Sequence, residues 1–295
     1  MDGGLIERPH LPVNCLYRAG VFRLYRRMTA TRIPLLGFGT FPLRGAAARS
    51  SVAAALDIGF RHIDTAQMYG NEKDVGAGLR ASGIARRELF VVTKVEPENL
   101  AASRFRGSVE KSLEDLGGPV DLLLIHWPPP EADVDGAVDR LVEAQAAGLC
   151  RNIGVSNFPA GLLRRAASRA SGALINNQVE FHPLIDQSKA LAAARDLGIT
   201  LSAYCPLARG AAMKEPVILQ IAQRHGRPAS EIALRWIIQQ GVAAIPMTTS
   251  SENAASNFRA SSFVLPEEDM TAISALTCQN RRLISPSSMA GRWDP

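Results

Sequence analysis

Asp64, Lys94 and His126 each close a run of apolar residues, and Tyr69 follows Asp64 by five positions. A carboxylate, an ammonium, an imidazole and a phenol are the groups that move protons. The burial argument is sharpest for Lys94. The stretch Leu89-Phe90-Val91-Val92-Thr93-Lys94-Val95 is β-branched and aromatic around a single ammonium, in a chain with only five lysines among its 33 basic residues. An ammonium entering a packed interior is costly unless it is paired, and Asp64 is the natural partner. Tyr69, five residues on, can arch back over the same place. There the ammonium is expected to stabilise the phenolate and bring its titration closer to neutrality. The chemistry this suits is delivery of a proton to an oxygen gaining negative charge. Tyr69 is the acid, Lys94 tunes it, Asp64 holds Lys94, and His126 donates to a carbonyl oxygen. Singly, each residue also reads as a structural ion pair, a rim tyrosine or a satisfied core histidine; the conjunction is what points to a site.

The elements that must position these groups follow from the alternation of short apolar runs with longer amphipathic ones. Strands are expected over 35–40, 60–64, 89–94, 120–126, 152–156, 174–178, 200–204 and 242–245. Helices are expected over 49–58, 72–81, 101–116, 134–147, 160–170, 185–197, 216–225, 229–240 and 252–259. Gly59, Gly148, Gly198 and Gly241 supply left-handed positions after helices. Eight such units predict a single-domain α/β fold, a (β/α)8 TIM barrel. An open dinucleotide-binding sheet is disfavoured, because Gly37-Phe38-Gly39-Thr40 lacks the glycine-rich turn into a helix. In a barrel the chemistry gathers at the C-terminal ends of strands. Thr40, Asp64, Lys94, His126, Ser156, Asn157, Gln178 and Tyr204 all fall there.

Composition narrows the function classes. With 46% hydrophobic and 21% charged residues the chain is an ordinary globular protein, and no apolar run approaches the roughly 20 residues of a membrane span. Of the net charge of +5, residues 1–27 contribute +3, and no basic stripe interleaved with aromatics remains to bind nucleic acid. Cys15, Cys150, Cys205 and Cys278 form no C-x-x-C pair, so reduced thiols and a cytoplasmic location are expected. Residues 1–27 read as an extension without function, translation being expected to begin at Met28, with the barrel over 28–295. A monomer is expected.

Longer motifs carry a resemblance. Gly59-Phe60-Arg61-His62-Ile63-Asp64-Thr65-Ala66-Gln67-Met68-Tyr69-Gly70-Asn71-Glu72 resembles the signature of the aldo-keto reductase superfamily. So do Leu124-Ile125-His126-Trp127-Pro128, Ile153-Gly154-Val155-Ser156-Asn157-Phe158 and Asn177-Gln178-Val179-Glu180. The match runs in order from about Pro34 to the C-terminus, and the ending from Asn280 to Pro286, with Trp293-Asp294-Pro295, is similar to the bacterial diketo-gluconate reductase branch. The resemblance implies NAD(P)H-dependent reduction of aldehydes or ketones, including dicarbonyls such as methylglyoxal, keto acids and keto esters. Tyr69 is then the proton donor, with Asp64, Lys94 and His126 completing the tetrad. Ser156, Asn157 and Gln178 hold the nicotinamide carboxamide, Tyr204 stacks on its ring, and Thr40 lies near the ribose or nicotinamide. The diphosphate and adenosine run along Leu207 to Gly210 and the segment of Met247, Thr248, Thr249, Asn253 and Asn257.

That last segment departs from the family pattern. Members selective for NADPH carry lysine and arginine around the adenosine 2′-phosphate, where this chain has Met247 and Asn253, with Glu252 adding negative charge. NADP(H) is the family default, and the substitutions point to use of NADH as well. The alternative is that Thr248, Thr249, Ser250 and the following helix N-terminus hold the phosphate. Phe41, Trp127, Phe158 and the tail after Asn280 are expected to wall the substrate pocket, with Arg209 and Arg282 read as solvated surface charges or, alternatively, as partners for a carboxylate. Two rivals remain: a metal-dependent barrel hydrolase using His62, Asp64, His126 and His182, and a reductase-like protein that binds nucleotide without turnover.

Overall fold

The structure, a computed structural model, describes residues 33–289 and 291–294; the extension over 1–27 and the expected start at Met28 lie outside the described residues. Eight parallel strands lie in the order in which they occur along the chain. They are β1 (Phe38–Gly39), β2 (His62–Asp64), β3 (Phe90–Val95), β4 (Val120–Ile125), β5 (Cys150–Ser156), β6 (Leu174–Glu180), β7 (Thr200–Tyr204) and β8 (Ala243–Ala244). Helices follow as α1 (Gly45–Ile58), α2 (Glu72–Ala81), α3 (Ala102–Leu116), α4 (Val134–Ala146), α5 (Ala160–Arg169) and α6 (Ser188–Asp196). After β7 come α7 (Pro216–His225) and α8 (Ala229–Gln239), and after β8 come α9 (Ser251–Arg259) and α10 (Glu267–Ser274). This is the curled, helix-covered parallel sheet expected of a β/α repeat. The two edges meet through an isolated bridge, Leu36 with Ala244, and hydrogen bonds from Gly37 N to Ala244 O and from Ala244 N to Leu35 O, both 2.9 Å. No described helix is long and apolar enough to cross a membrane.

The period of two along each strand sorts residues between two apolar clusters. On β3 and β4, Val91, Val95, Leu123 and Ile125 face outward and join Val52, Val109 and Leu141 under the helices. Val92, Leu122 and Leu124 face the inside with Ile33 and Ala243. Lys94, two residues past Val92, therefore shares the inward face one layer higher. The interior is apolar below and polar above. The helices come close enough that a Cβ on Gly76 would lie 2.0 Å from the Asp115 carbonyl, which only glycine on α2 permits.

Gly59, Gly148, Gly198 and Gly241 all have positive φ. Other expectations shift. The first strand is two residues long rather than six, His126 is the first residue beyond β4, and β6 continues two residues past Gln178 to Glu180. Helix α10 was not anticipated, although Pro266 precedes it and Glu267, Glu268 and Asp269 fill its first turn, where carboxylates favour the helix dipole.

Candidate active site

Lys94 is fully buried on β3, and its ammonium donates to three oxygens: Asp64 Oδ1 at 2.6 Å, the Thr65 carbonyl at 2.9 Å and Tyr69 Oη at 3.3 Å. The second carboxylate oxygen of Asp64 accepts from Gln178 Nε2 across the interior at 2.7 Å. A buried ion pair is stable only when its remaining lone pairs and protons are met, and here they are. The backbone of Asp64 is held as well: its carbonyl accepts from Thr40 N at 3.1 Å and Thr40 Oγ1 at 2.9 Å. Thr40 is itself fully buried, so its hydroxyl props Asp64.

The loop carrying Tyr69 is pinned on both sides. Asn71, fully buried, donates to the carbonyls of Thr40 and Leu43 at 3.2 and 2.9 Å and accepts from Thr65 Oγ1 at 2.7 Å. Gln67, in the same turn, bonds Ser112 Oγ on α3 and accepts from Glu96 N, both at 3.1 Å. Glu72 accepts from Thr93 Oγ1 at 2.5 Å and Ser112 Oγ at 3.0 Å. Burial outweighs these bonds and raises its pKa. Tyr69 then presents its ring between Phe41, 5.1 Å away, and the edge of His126, 5.6 Å away.

Electrostatics correct one expectation. The Tyr69 phenol titrates above its ordinary value rather than nearer neutrality, because burial outweighs the stabilisation of phenolate by Lys94. Lys94, although desolvated, is raised as well, chiefly by Asp64 and then by Tyr69. The pair therefore rests as phenol and ammonium. His126 is pushed down to about 3 by burial and by Lys94, so its ring is neutral. Its Nδ1 is buried and meets no hydrogen-bond partner among the described residues.

On β5 to β7 the amide and hydroxyl residues come together. Ser156 Oγ donates to the Gln178 carbonyl at 2.8 Å, Asn157 Nδ2 to the His126 carbonyl at 3.0 Å and to Ser156 Oγ at 3.1 Å, and Tyr204 Oη to Asn157 Oδ1 at 2.8 Å. Asn157 adopts a left-handed φ of 63°, which turns its side chain back toward β4. Leu207 and Gly210 lie in and beside the short turn Ala208–Gly210 after β7. Met247, 38% exposed, Thr248, Thr249 and the exposed Asn253 line the approach to α9, and Asn257 is buried on that helix. Ser250 caps α9, its Oγ accepting from Asn253 N.

Of the expected pocket wall, Phe41 is 56% exposed beside Tyr69, and Trp127 stacks on His126 with ring centroids 6.3 Å apart. Phe158 is 1% exposed and belongs to the apolar cluster under the helices. The tail does arrive. Trp293 meets Trp127 edge-on at 6.4 Å, Arg292 donates to the carbonyls of Pro128 and Pro129, and Asp294 accepts from Ala160 N at the start of α5. Sequence reasoning gave Glu180 no role, yet its two buried carboxylate oxygens accept from Leu283 N at 2.7 Å and Ile284 N at 2.9 Å. An acid in an apolar strand with His182 two residues on was the available signal; His182 Nε2 lies 2.9 Å from Glu180.

The metal-site rival has no geometry to support it. His62 is buried against Phe90 with Nδ1 at the Pro34 carbonyl, Asp64 is engaged by Lys94 and Gln178, and no three His, Cys, Asp or Glu among the described residues converge to hold a metal.

Comparison with known proteins shows the family. The sequence pattern of the aldo/keto reductase family matches residues 35–277. The chain is 42% identical over 267 residues to methylglyoxal reductase DkgB of Escherichia coli O157:H7, covering 89% of this chain and 99% of that protein. Among solved structures, a putative 2,5-diketo-D-gluconic acid reductase B superposes with a TM-score of 0.87 at 40% identity, covering 89% of this chain and 94% of that one. The aldose reductase of Schistosoma japonicum superposes with a TM-score of 0.83 at 26% identity, covering 88% and 94%. The chain belongs to the aldo/keto reductase family and is an NAD(P)H-dependent oxidoreductase that reduces carbonyl groups.

Proposed function

We propose that Tyr69 Oη delivers the proton to the oxygen of an aldehyde or ketone, with Lys94, Asp64 and His126 preparing that transfer. The observation that carries this reading is the unbroken chain from Asp64 Oδ1 through Lys94 Nζ to Tyr69 Oη, at 2.6 and 3.3 Å. Burial keeps the phenol protonated until it is needed, and the ammonium then stabilises the phenolate left behind. Because Nδ1 of His126 has no acceptor, we assign the ring proton to Nε2, from which it donates to the carbonyl oxygen. When bound, the nicotinamide supplies the hydride to the carbonyl carbon, and the alcohol leaves as product. The phenolate regains its proton from water.

Ser156, Asn157 and Gln178 fit a nicotinamide carboxamide, since together they offer hydroxyl and amide donors and acceptors at one place on the rim. Tyr204, tethered to Asn157, offers a ring for the cofactor's face. Toward α9 a cleft of about 170 Å³ is lined by hydroxyls from Ser50, Ser51, Thr248, Thr249 and Ser251, with no lysine or arginine in its wall. A 2′-phosphate there gains only hydroxyl and backbone donors. Each missing charge-assisted bond forgoes roughly 1.5–3 kcal/mol, so NADH is accepted alongside NADPH. A hundredfold tighter binding of NADPH than NADH would overturn this.

Substrates on this reading are small aldehydes, dicarbonyls and keto acids or esters, in keeping with the methylglyoxal and diketogluconate named for the relatives. Residues 28–295 are taken as one closed (β/α)8 domain acting as a cytoplasmic monomer, the four reacting groups all coming from a single chain. The decisive experiment follows loss of NADPH or NADH absorbance with methylglyoxal. Tyr69→Phe should lower turnover by roughly two to four orders of magnitude with cofactor affinity unchanged. Undiminished turnover would remove Tyr69 from the reaction.

A further inference from the structure

The turn that carries Tyr69 and the strand that carries Lys94 are joined twice. On the inner face of the sheet, Lys94 Nζ donates to the Thr65 carbonyl at 2.9 Å and to Tyr69 Oη at 3.3 Å. A second set of bonds links the same two segments from outside. Thr93 Oγ1 donates to Glu72 Oε1 at 2.5 Å, and Glu96 N donates to Gln67 Oε1 at 3.1 Å. Gln67 and Glu72 bracket Tyr69 along the chain, as Thr93 and Glu96 bracket Lys94. Ser112 on α3 closes the set, accepting from Gln67 Nε2 at 3.1 Å and donating to Glu72 Oε2 at 3.0 Å. Asn71 ties the turn in another direction, to the carbonyls of Thr40 and Leu43.

The outer tie sits where packing alone would place apolar side chains. Thr93 shares the outward face of β3 with Val91 and Val95, both in the apolar cluster under the helices. A carboxylate brought there is costly, and burial raises the pKa of Glu72 although two hydroxyls donate to it. Asp115 adds repulsion, which Lys94 offsets from a distance. Apolar side chains of similar volume would hold α2 to the strand without that cost. Hydrogen bonds differ in fixing both length and direction. The acid of a proton transfer needs that precision, since a misplacement of about 1 Å can lower a rate about a hundredfold.

We infer that Glu72 is a positioning residue for the proton donor: through Thr93 and Ser112 it fixes the turn of Tyr69 against β3 and so sets the approach of Tyr69 Oη to Lys94 Nζ. The inference rests on the proposed role of Tyr69. Glu72→Ala should lower kcat for methylglyoxal reduction roughly ten- to a hundredfold, with KM for the carbonyl and for the cofactor within about twofold. Glu72→Gln keeps the shape, still accepts from Thr93, and turns its amide nitrogen to Ser112, so it should recover kcat to within about threefold of wild type. Thr93→Val breaks the same tie from the other side with the carboxylate retained, and should lower kcat roughly three- to tenfold. Glu72→Ala combined with Thr93→Val should be no slower than Glu72→Ala alone, because both changes remove one interaction. A folded Glu72→Ala enzyme with wild-type kcat overturns the inference. So does a Glu72→Gln enzyme as slow as Glu72→Ala, or losses that multiply in the double variant. Should Glu72→Ala fail to fold, an unchanged kcat in Thr93→Val overturns it alone.

Fluorotyrosine in place of tyrosine reports the position without turnover. The fluorine resonance assigned to residue 69 by its absence in Tyr69→Phe should shift and broaden in Glu72→Ala and stay in place in Glu72→Gln. That of Tyr204, held on Asn157, should stay in both. Movement of both resonances would mark a general loosening and overturn the inference. Undiminished turnover in Tyr69→Phe, with the residue 69 resonance still moved by Glu72→Ala, would remove the donor role and leave the tie standing. Turnover lost in Tyr69→Phe, with that resonance unmoved by Glu72→Ala, would do the reverse.

Discussion

Two parts of the rim are built on opposite terms. Around β2 to β4 every reacting group is buried or nearly so and tied to its neighbours: Lys94 to three oxygens, Asp64 to Lys94 and Gln178, Tyr69 between Phe41 and His126. Around the start of α9, Met247, Thr249, Ser251, Glu252 and Asn253 are exposed, and the bonds there serve the local turn, as in Ser250 N to Thr248 Oγ1 at 3.1 Å. The first region is held by interactions that are costly to leave incomplete, and the second by interactions that water can replace. One set of residues is therefore fixed by the fold, and the other is free to vary with the cofactor.

The contrast breaks most visibly at Lys94. Lys94→Met leaves the Asp64 carboxylate buried without its cation and should lower unfolding free energy by roughly 3–5 kcal/mol in chemical denaturation, while Asp64→Asn with Lys94→Met should recover most of that. A loss under 1 kcal/mol (about the value of an exposed pair) would mean water reaches the site. At the open end the same kind of change should be mild and favourable. Met247→Lys should tighten NADPH by roughly 1.5 kcal/mol, the lower end for a charge-assisted bond because the site is 38% exposed, and leave NADH unmoved in titration. Equal effects on both cofactors would place the phosphate elsewhere.

A third effect is on pH. His126 has its folded pKa depressed from 6.5 to about 3, so the unfolded chain binds the extra proton first as pH falls. Stability rises with pH across that window and is lost on acidification, with a slope of at most about 1.4 kcal/mol per pH unit from this residue. His62, also lowered by burial, acts in the same direction. His126→Gln should flatten the curve of unfolding free energy between pH 6.5 and 4; an unchanged slope would assign the acid sensitivity to other groups.

How much was legible in the sequence follows the same line. An ammonium in an apolar strand demands a partner, and Asp64 was the nearest inward-facing acid, so that pairing could be deduced from burial alone. The glycines that close helices were equally plain, because only a positive φ explains them there. The titration of Tyr69 was misjudged because the sequence shows the neighbouring charge and hides the depth of burial, which wins. The depth of Phe158 was not legible either, because an aromatic after a strand end looks the same whether it is open to solvent or buried. The role of Glu180 escaped for a different reason. Its partners are backbone N–H groups more than a hundred residues away, and backbone donors carry no side-chain identity to read.

The contacts of the tail also set an order of assembly. Leu283 and Ile284 on Glu180, Arg292 on Pro129 and Asp294 on Ala160 span 103, 104, 163 and 134 positions, and every partner precedes the tail along the chain. As the protein leaves the ribosome, the strands and helices that gather the proton-transfer groups emerge first, and Arg282 and Trp293 afterwards. The reacting centre can thus be in place before the tail that packs against Trp127.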